Sequence, residues 1–235
     1  MTDSIKDKPK LPDFHEYVDR MKQELSEELL PELVPYLEQG SMGEQLRHPL
    51  LYQVPLINNG GANRLFKFKQ ESVEKALAEG LWRQYVWLHE RPYRLDAFVE
   101  IVDKLSDRQY WELLSAIWTD TENSWQNLNV WRELFKSERE HKRFMMDELS
   151  YHVYKQMPEK VTVWRGCQRG VNEIGLSWTF DKDKAKFFAK RLDKPNPIVI
   201  QLTVDKEKVV AVFLDRNEQE VIITDYSVID TWWDV

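Results

Sequence analysis

At Pro158 the hydrophobic pattern of this chain changes period. Before it, apolar residues recur at three- and four-residue steps, as one face of an α-helix requires. After it, they alternate or run in short blocks, as strands require. Helices first and strands second is not the alternation that builds a parallel α/β sheet. The pattern predicts an α+β fold, an N-terminal helical layer followed by a mixed, mainly antiparallel sheet.

The helical part begins after a polar tail, residues 1–10. From Asp13 onward Phe14, Tyr17, Val18, Met21, Leu25, Leu29 and Leu30 mark an amphipathic helix, which Pro31 and Pro35 interrupt. Residues 40–69, with the run Asn58-Asn59-Gly60-Gly61, read as a connector with a tight turn. From Glu71 one helical face continues through Val73, Leu77, Leu81, Tyr85 and Leu88 until Pro92, and a second follows through Leu95, Phe98, Val102 and Leu105. Ser106 and Asp107 offer a cap for a third, and helices are predicted near 124–136 and 138–156. These boundaries give an N-terminal region over residues 1–70 and a domain over 71–235. The domain divides into a helical lobe at 71–157 and a β-rich core at 158–235.

Within that core, strands are predicted at Val161–Trp164, Leu176–Phe180, Ile198–Val204, Val209–Leu214, Glu220–Thr224 and Val228–Trp233. A Lys-rich helix over 182–192 interrupts them, with Asp181 as its N-cap.

Charge and cysteine content narrow the function classes. The 235 residues carry a net charge of −7, without the positive balance that drives non-specific phosphate binding, so nucleic acid is disfavoured as a partner. Cys167 is the single cysteine and the five His show no metal-ligand spacing, which predicts no disulfide, no metal and a reducing compartment. The N-terminus lacks an apolar signal region, and no stretch approaches the roughly 20 apolar residues of a membrane span, so a cytoplasmic protein with no membrane partner is expected.

Three strand segments each place a polar residue where an apolar one costs less: Val163-Trp164-Arg165-Gly166, Leu176-Ser177-Trp178-Thr179, and Glu218-Gln219-Glu220-Val221. Taken in order, they resemble the signature positions of the R-S-E class of mono-ADP-ribosyltransferases, of bacterial or phage type. In that family an aromatic-Arg-Gly segment ends the first strand, a Ser-x-Thr segment opens a later one, and a Glu-x-Glu pair opens another. An aromatic-bearing helix after the Ser strand, here with Phe187 and Phe188, and two strands before the glutamates extend the likeness over residues 71–235. Each motif alone is weak, and the order and strand context give the specificity.

The resemblance implies a split sheet around an NAD cleft, with NAD as substrate. Glu220 would be the catalytic carboxylate and Glu218 would orient the acceptor. Arg165, Gly166, Ser177, Thr179 and Phe187 would bind NAD. The chemistry of the residues agrees. Arg165 offers a planar five-donor fork for phosphate oxygens, and Gly166 lets the backbone approach the nicotinamide amide. Phe187 or Phe188, adjacent and therefore not both facing a ligand, offers a ring for the nicotinamide cation. A carboxylate is the natural partner of the oxocarbenium-like transition state at the ribose. On an extended backbone Glu218 and Glu220 lie on one side, so both would face one site. A Glu-x-Glu pair implies a protein acceptor with arginine favoured, in an effector or toxin.

Plainer readings accompany each residue. An isolated Arg at a strand end is commonly a salt-bridge partner, and a Glu pair is commonly a solvated edge. The stretch Trp111–Trp131 has the helical spacing of core packing. Three other functions remain open. An NAD glycohydrolase would use the same Glu220. A non-catalytic interaction protein would keep the sheet as scaffold. A transferase acting on nucleic acid would use the basic run Lys182, Lys184, Lys186, Lys190 and Arg191.

Overall fold

The computed structural model describes residues 13–191, 193–214, 218–226 and 231–234. The chain forms two compact units that divide between Ile101 and Val102. Residues 71–101, read from sequence as part of the helical lobe, therefore lie in the first unit. The tail at 1–10 lies outside the described residues, as do residues 228–230 of the last predicted strand.

The first unit opens with helix α1 (Phe14–Ser26), followed by an antiparallel three-stranded meander of β1 (Leu37–Gly40), β2 (Gly43–His48) and β3 (Leu51–Gln53). Helices α2 (Asn59–Ala78), α3 (Trp82–Leu88) and α4 (Arg94–Ile101) complete it. Leu33, Leu46, Leu50, Leu51, Ala62 and Phe66 form one cluster of its core, and Val86, Phe98 and Ile101 are also buried.

The expected connector at 40–69 is corrected by this arrangement: it holds most of the meander and the first half of α2. Strands of three to six residues are too short to set a period against their turns. The Asn-Asn-Gly-Gly run is no tight turn either. The Asn58 side chain accepts the Gly61 N–H at 3.0 Å and caps α2. At Gly60 a Cβ would lie 2.6 Å from the Glu24 Cα, so the glycine admits close packing of α1 on α2. The single helical face expected through residue 88 breaks at Gly80, whose φ of +68° ends α2 in the left-handed region.

The second unit begins with α5 (Asp107–Asp120), whose start is a capping box: Ser106 accepts the Gln109 N–H, and the Gln109 side chain accepts the Ser106 N–H. Helices α6 (Leu128–Phe135) and α7 (Glu148–Gln156) follow, each shorter than the sequence pattern predicts because a 3-10 turn precedes it.

Then come β4 (Lys160–Gln168), β5 (Ser177–Thr179), α8 (Lys182–Lys190), β6 (Pro197–Asp205), β7 (Val209–Phe213), β8 (Glu220–Ile223) and β9 (Thr231–Asp234). Asp181 caps α8 by accepting the Asp183 and Lys184 N–H groups. The strands form one sheet in the order β7-β8-β5-β4-β6-β9, and its recorded pairings are all antiparallel. The fold is α+β.

One seam in this sheet is thin. Strand β4 pairs with β6 from Lys160 to Gln168 but with β5 only at Trp164↔Thr179. One face carries the core of Val161, Val163, Trp178, Ile200, Val212 and Val221, covered by Val153, Tyr154 and Met157 at and just after α7. On the opposite face Ala185 and Ala189 of α8 pack on Val199 beside Trp164 and Trp233.

Candidate functional site

Beside the thin seam, a row of paired residues crosses four strands: Trp164↔Thr179, Thr179↔Glu220 and Glu220↔Phe213. Paired residues project to one face of a sheet and successive residues to opposite faces. Ser177, Thr179 and Glu220 therefore share a face. Arg165 and Trp178 project to the other, among the α7-covered core.

The surroundings of Arg165 agree with that placement. Its Nε and Nη2 donate to the Asn172 carbonyl at 3.1 and 3.0 Å, and its Nη1 donates to the Ser177 carbonyl at 2.6 Å. A Cβ at Gly175 would fall 2.2 Å from Nη2, so the glycine makes room for the guanidinium. Burial pulls the Arg165 pKa below its ordinary value, while Cys167, Tyr226 and Glu220 act in the opposite direction. Three of the five N–H donors expected for phosphate are thus engaged by the loop between β4 and β5 and by β5 itself.

Around it, Tyr226 packs edge-on to Trp178 at 5.2 Å and donates its hydroxyl to the Gly175 carbonyl. Burial pushes its phenol up to about 12, against the pull of Arg165. Cys167 is buried, and burial pushes its thiol up to about 11, far from the range of a reactive thiolate.

On the opposite face Glu220 is only 5% exposed, and its Oε1 accepts the indole N–H of Trp118, from α5, at 3.2 Å. Thr179 ties the start of β8 to the start of α8: its hydroxyl donates to the Glu218 carbonyl at 2.7 Å and accepts the Asp181 N–H at 3.1 Å. Ser177 contributes its backbone carbonyl, which holds Arg165.

One expected alignment changes. The extended-strand argument that put Glu218 beside Glu220 does not hold, because β8 begins at Glu220 and Gln219 between them has a φ of 48°. A left-handed residue breaks the two-residue alternation, so the pleat no longer aligns the two carboxylates. Gly166 serves packing as well. A Cβ there would lie 1.8 Å from the Ala185 carbonyl oxygen and 2.6 Å from the Ala189 nitrogen. The glycine admits α8 against β4, and the space a side chain would take is filled by the helix.

Phe187 is 62% exposed on α8, while Arg191 lies over the ring of Phe188 at 5.1 Å. Of the adjacent pair, Phe187 is the ring open to a ligand.

Sequence reading missed Trp118 as a site residue because it assigned the Trp-rich stretch to core packing. Trp118 does pack there, 5.0 Å from Trp131 and 5.1 Å from Phe135. The available signal was chemical: a buried indole N–H needs an acceptor.

Among the described residues no group of three or more His, Cys, Asp or Glu is placed to hold a metal ion, and no helix is long and apolar enough to cross a membrane. Compared with family models, curated proteins and solved structures, the chain matches none.

Proposed function

We propose that this protein cleaves NAD at the nicotinamide–ribose bond and transfers ADP-ribose to an acceptor, a protein side chain with arginine favoured. The bond between ribose C1′ and the pyridinium nitrogen breaks, and its electron pair leaves with neutral nicotinamide. The acceptor nucleophile forms the new bond at C1′ and gives up a proton. Glu220 stabilises the positive charge that develops at the ribose. No metal is needed by this chemistry.

The observation that carries the reading is the registry of the three signature segments. Thr179 pairs directly with Glu220, and Arg165 holds the Ser177 carbonyl, so segments far apart in sequence form one hydrogen-bonded unit. The element order after β5 supports it too: the Phe-bearing α8 comes next, then β6 and β7, before β8 opens at Glu220. Exposed Phe187 supplies a ring for the nicotinamide cation.

The test is Glu220→Gln. NAD turnover is expected to fall by about a hundredfold or more with far-ultraviolet circular dichroism unchanged. Labelled NAD in a cell lysate separates transfer, which puts label on a macromolecule, from glycohydrolysis, which accumulates nicotinamide with no labelled macromolecule.

A second reading, a non-catalytic scaffold that binds a partner, has its own observation. Arg165 is engaged by backbone carbonyls, and Glu220 lies buried against Trp118. That reading expects Glu220→Gln to leave the biological effect intact.

A further inference from the structure

We propose that Trp118 is a positioning residue of the site: its indole N–H, delivered by α5, fixes the orientation of the Glu220 carboxylate. The inference rests on Glu220 being the reacting carboxylate. Its backbone and its side chain are held from different elements. Its backbone is fixed by β8, which pairs with Thr179 on one side and Phe213 on the other. Its side chain is fixed from a different element altogether, through the 3.2 Å bond from Trp118 Nε1 to Oε1. A carboxylate on a rigid strand can still rotate about its own torsions, so strand pairing alone does not aim its oxygens.

The donor itself is held firmly. Trp118 is 4% exposed and meets Trp131 at an interplanar angle of 83° and Phe135 at 73°, while Trp131 and Phe135 stack at 24°. Edge-to-face packing on two sides leaves the indole little freedom to turn its N–H away. Rigid support behind a hydrogen-bond donor is what preorganised electrostatic catalysis requires, because nothing then reorganises as charge develops.

The same cluster contains its own control. The Trp131 indole N–H is buried with no hydrogen-bond partner among the described residues, so Trp131 packs in the cluster without a bond to the carboxylate. Trp118→Phe and Trp131→Phe make the same chemical change in one aromatic cluster, and only the first removes a donor from Glu220.

The experiment measures kcat and KM for NAD in the wild type and both variants, with melting temperatures alongside. Trp118→Phe is expected to lower kcat about ten- to a hundredfold, the effect of losing a hydrogen bond to a charged group, with KM within about twofold. Trp131→Phe is expected to lower the melting temperature comparably and leave kcat within about twofold. Equal kcat in Trp118→Phe and wild type, or an equal loss in both variants, overturns the inference. A wild-type protein that turns over no NAD overturns the proposed function instead.

Should Trp118→Phe fail to fold, the indole 1H–15N resonances carry the test. The Trp118 signal is expected to shift on Glu220→Gln while that of Trp131 stays in place, and an unmoved Trp118 signal overturns the inference.

Discussion

In the first unit the carboxylate of Glu24, 7% exposed, is met by the guanidinium of Arg64 and the amide of Asn58. In the second, the guanidinium of Arg165 is met by the backbone carbonyls of Asn172 and Ser177. Both arrangements tie distant elements together, α1 to α2 in one case and β4 to β5 in the other. They differ in what they fix. A counter-ion on a flexible side chain cancels charge but tolerates movement, and Arg64 is itself 60% exposed. Three hydrogen bonds to backbone carbonyls fix a loop in place and leave the charge on the cation. The second unit therefore has the more rigid construction at the polar residues with which the proposed chemistry is concerned.

That contrast can be broken first at Arg165. Arg165→Met removes the donors of two carbonyls and is expected to cost about 3 kcal/mol or more in urea denaturation. A loss no larger than that of a surface substitution would mean that the loop between β4 and β5 is held by something else.

Next in size is an acid effect in the first unit. The ring of His48 sits 4.4 Å from Tyr36 and 4.8 Å from Phe66, and its Nδ1 accepts the Leu50 N–H. Burial lowers its pKa below 6.5, with His89 adding to the effect. Burial likewise lowers the pKa of His89, as does Lys69, against opposing contributions from the Tyr85 carbonyl and Glu100. The unfolded chain then binds these protons more readily than the folded one. Stability is expected to be intact above about pH 6.5 and to fall as pH drops from there toward the folded values. Urea midpoints measured between pH 7.5 and 5 check this, and His48→Gln should flatten the fall.

The smallest effect is expected for Arg64→Met. The hydrogen bond from Arg64 holds the Glu24 pKa below 4.5, so the pair contributes above pH 4.5 and its contribution fades as pH falls through the folded value. The stability difference between Arg64→Met and wild type should therefore shrink on acidification. A difference that grows instead would place the effect of Arg64 in packing of its stem and not in the ion pair.

Much of the architecture was legible where a signal is local. The change of period at Pro158, the capping of α5 by Ser106 and of α8 by Asp181 each depend on residues within one turn of each other. The meander of the first unit was not legible, because its strands are short and one of its neighbours, Asn58, serves a helix as readily as a turn.

At the candidate site, registry depended on knowing which strands pair. Ser177, Thr179 and Glu220 share a face only once β5 lies beside β8. The pleat then sends Arg165 the other way, and one left-handed residue, Gln219, separates Glu218 from the alternation that sequence spacing implied.

By itself the sequence determined the change from helices to strands in the second unit, the caps of α5 and α8, and which residue types stand at the three polar strand positions. Tertiary structure alone decided what each of those residues touches. Gly166 admits α8, Arg165 finds two carbonyls, and Glu220 finds an indole N–H from a residue 102 positions away. The reason is physical. Helix and strand periods and caps follow from torsions and bonds among near neighbours, whereas a buried polar side chain takes the partner that packing brings within about 3 Å.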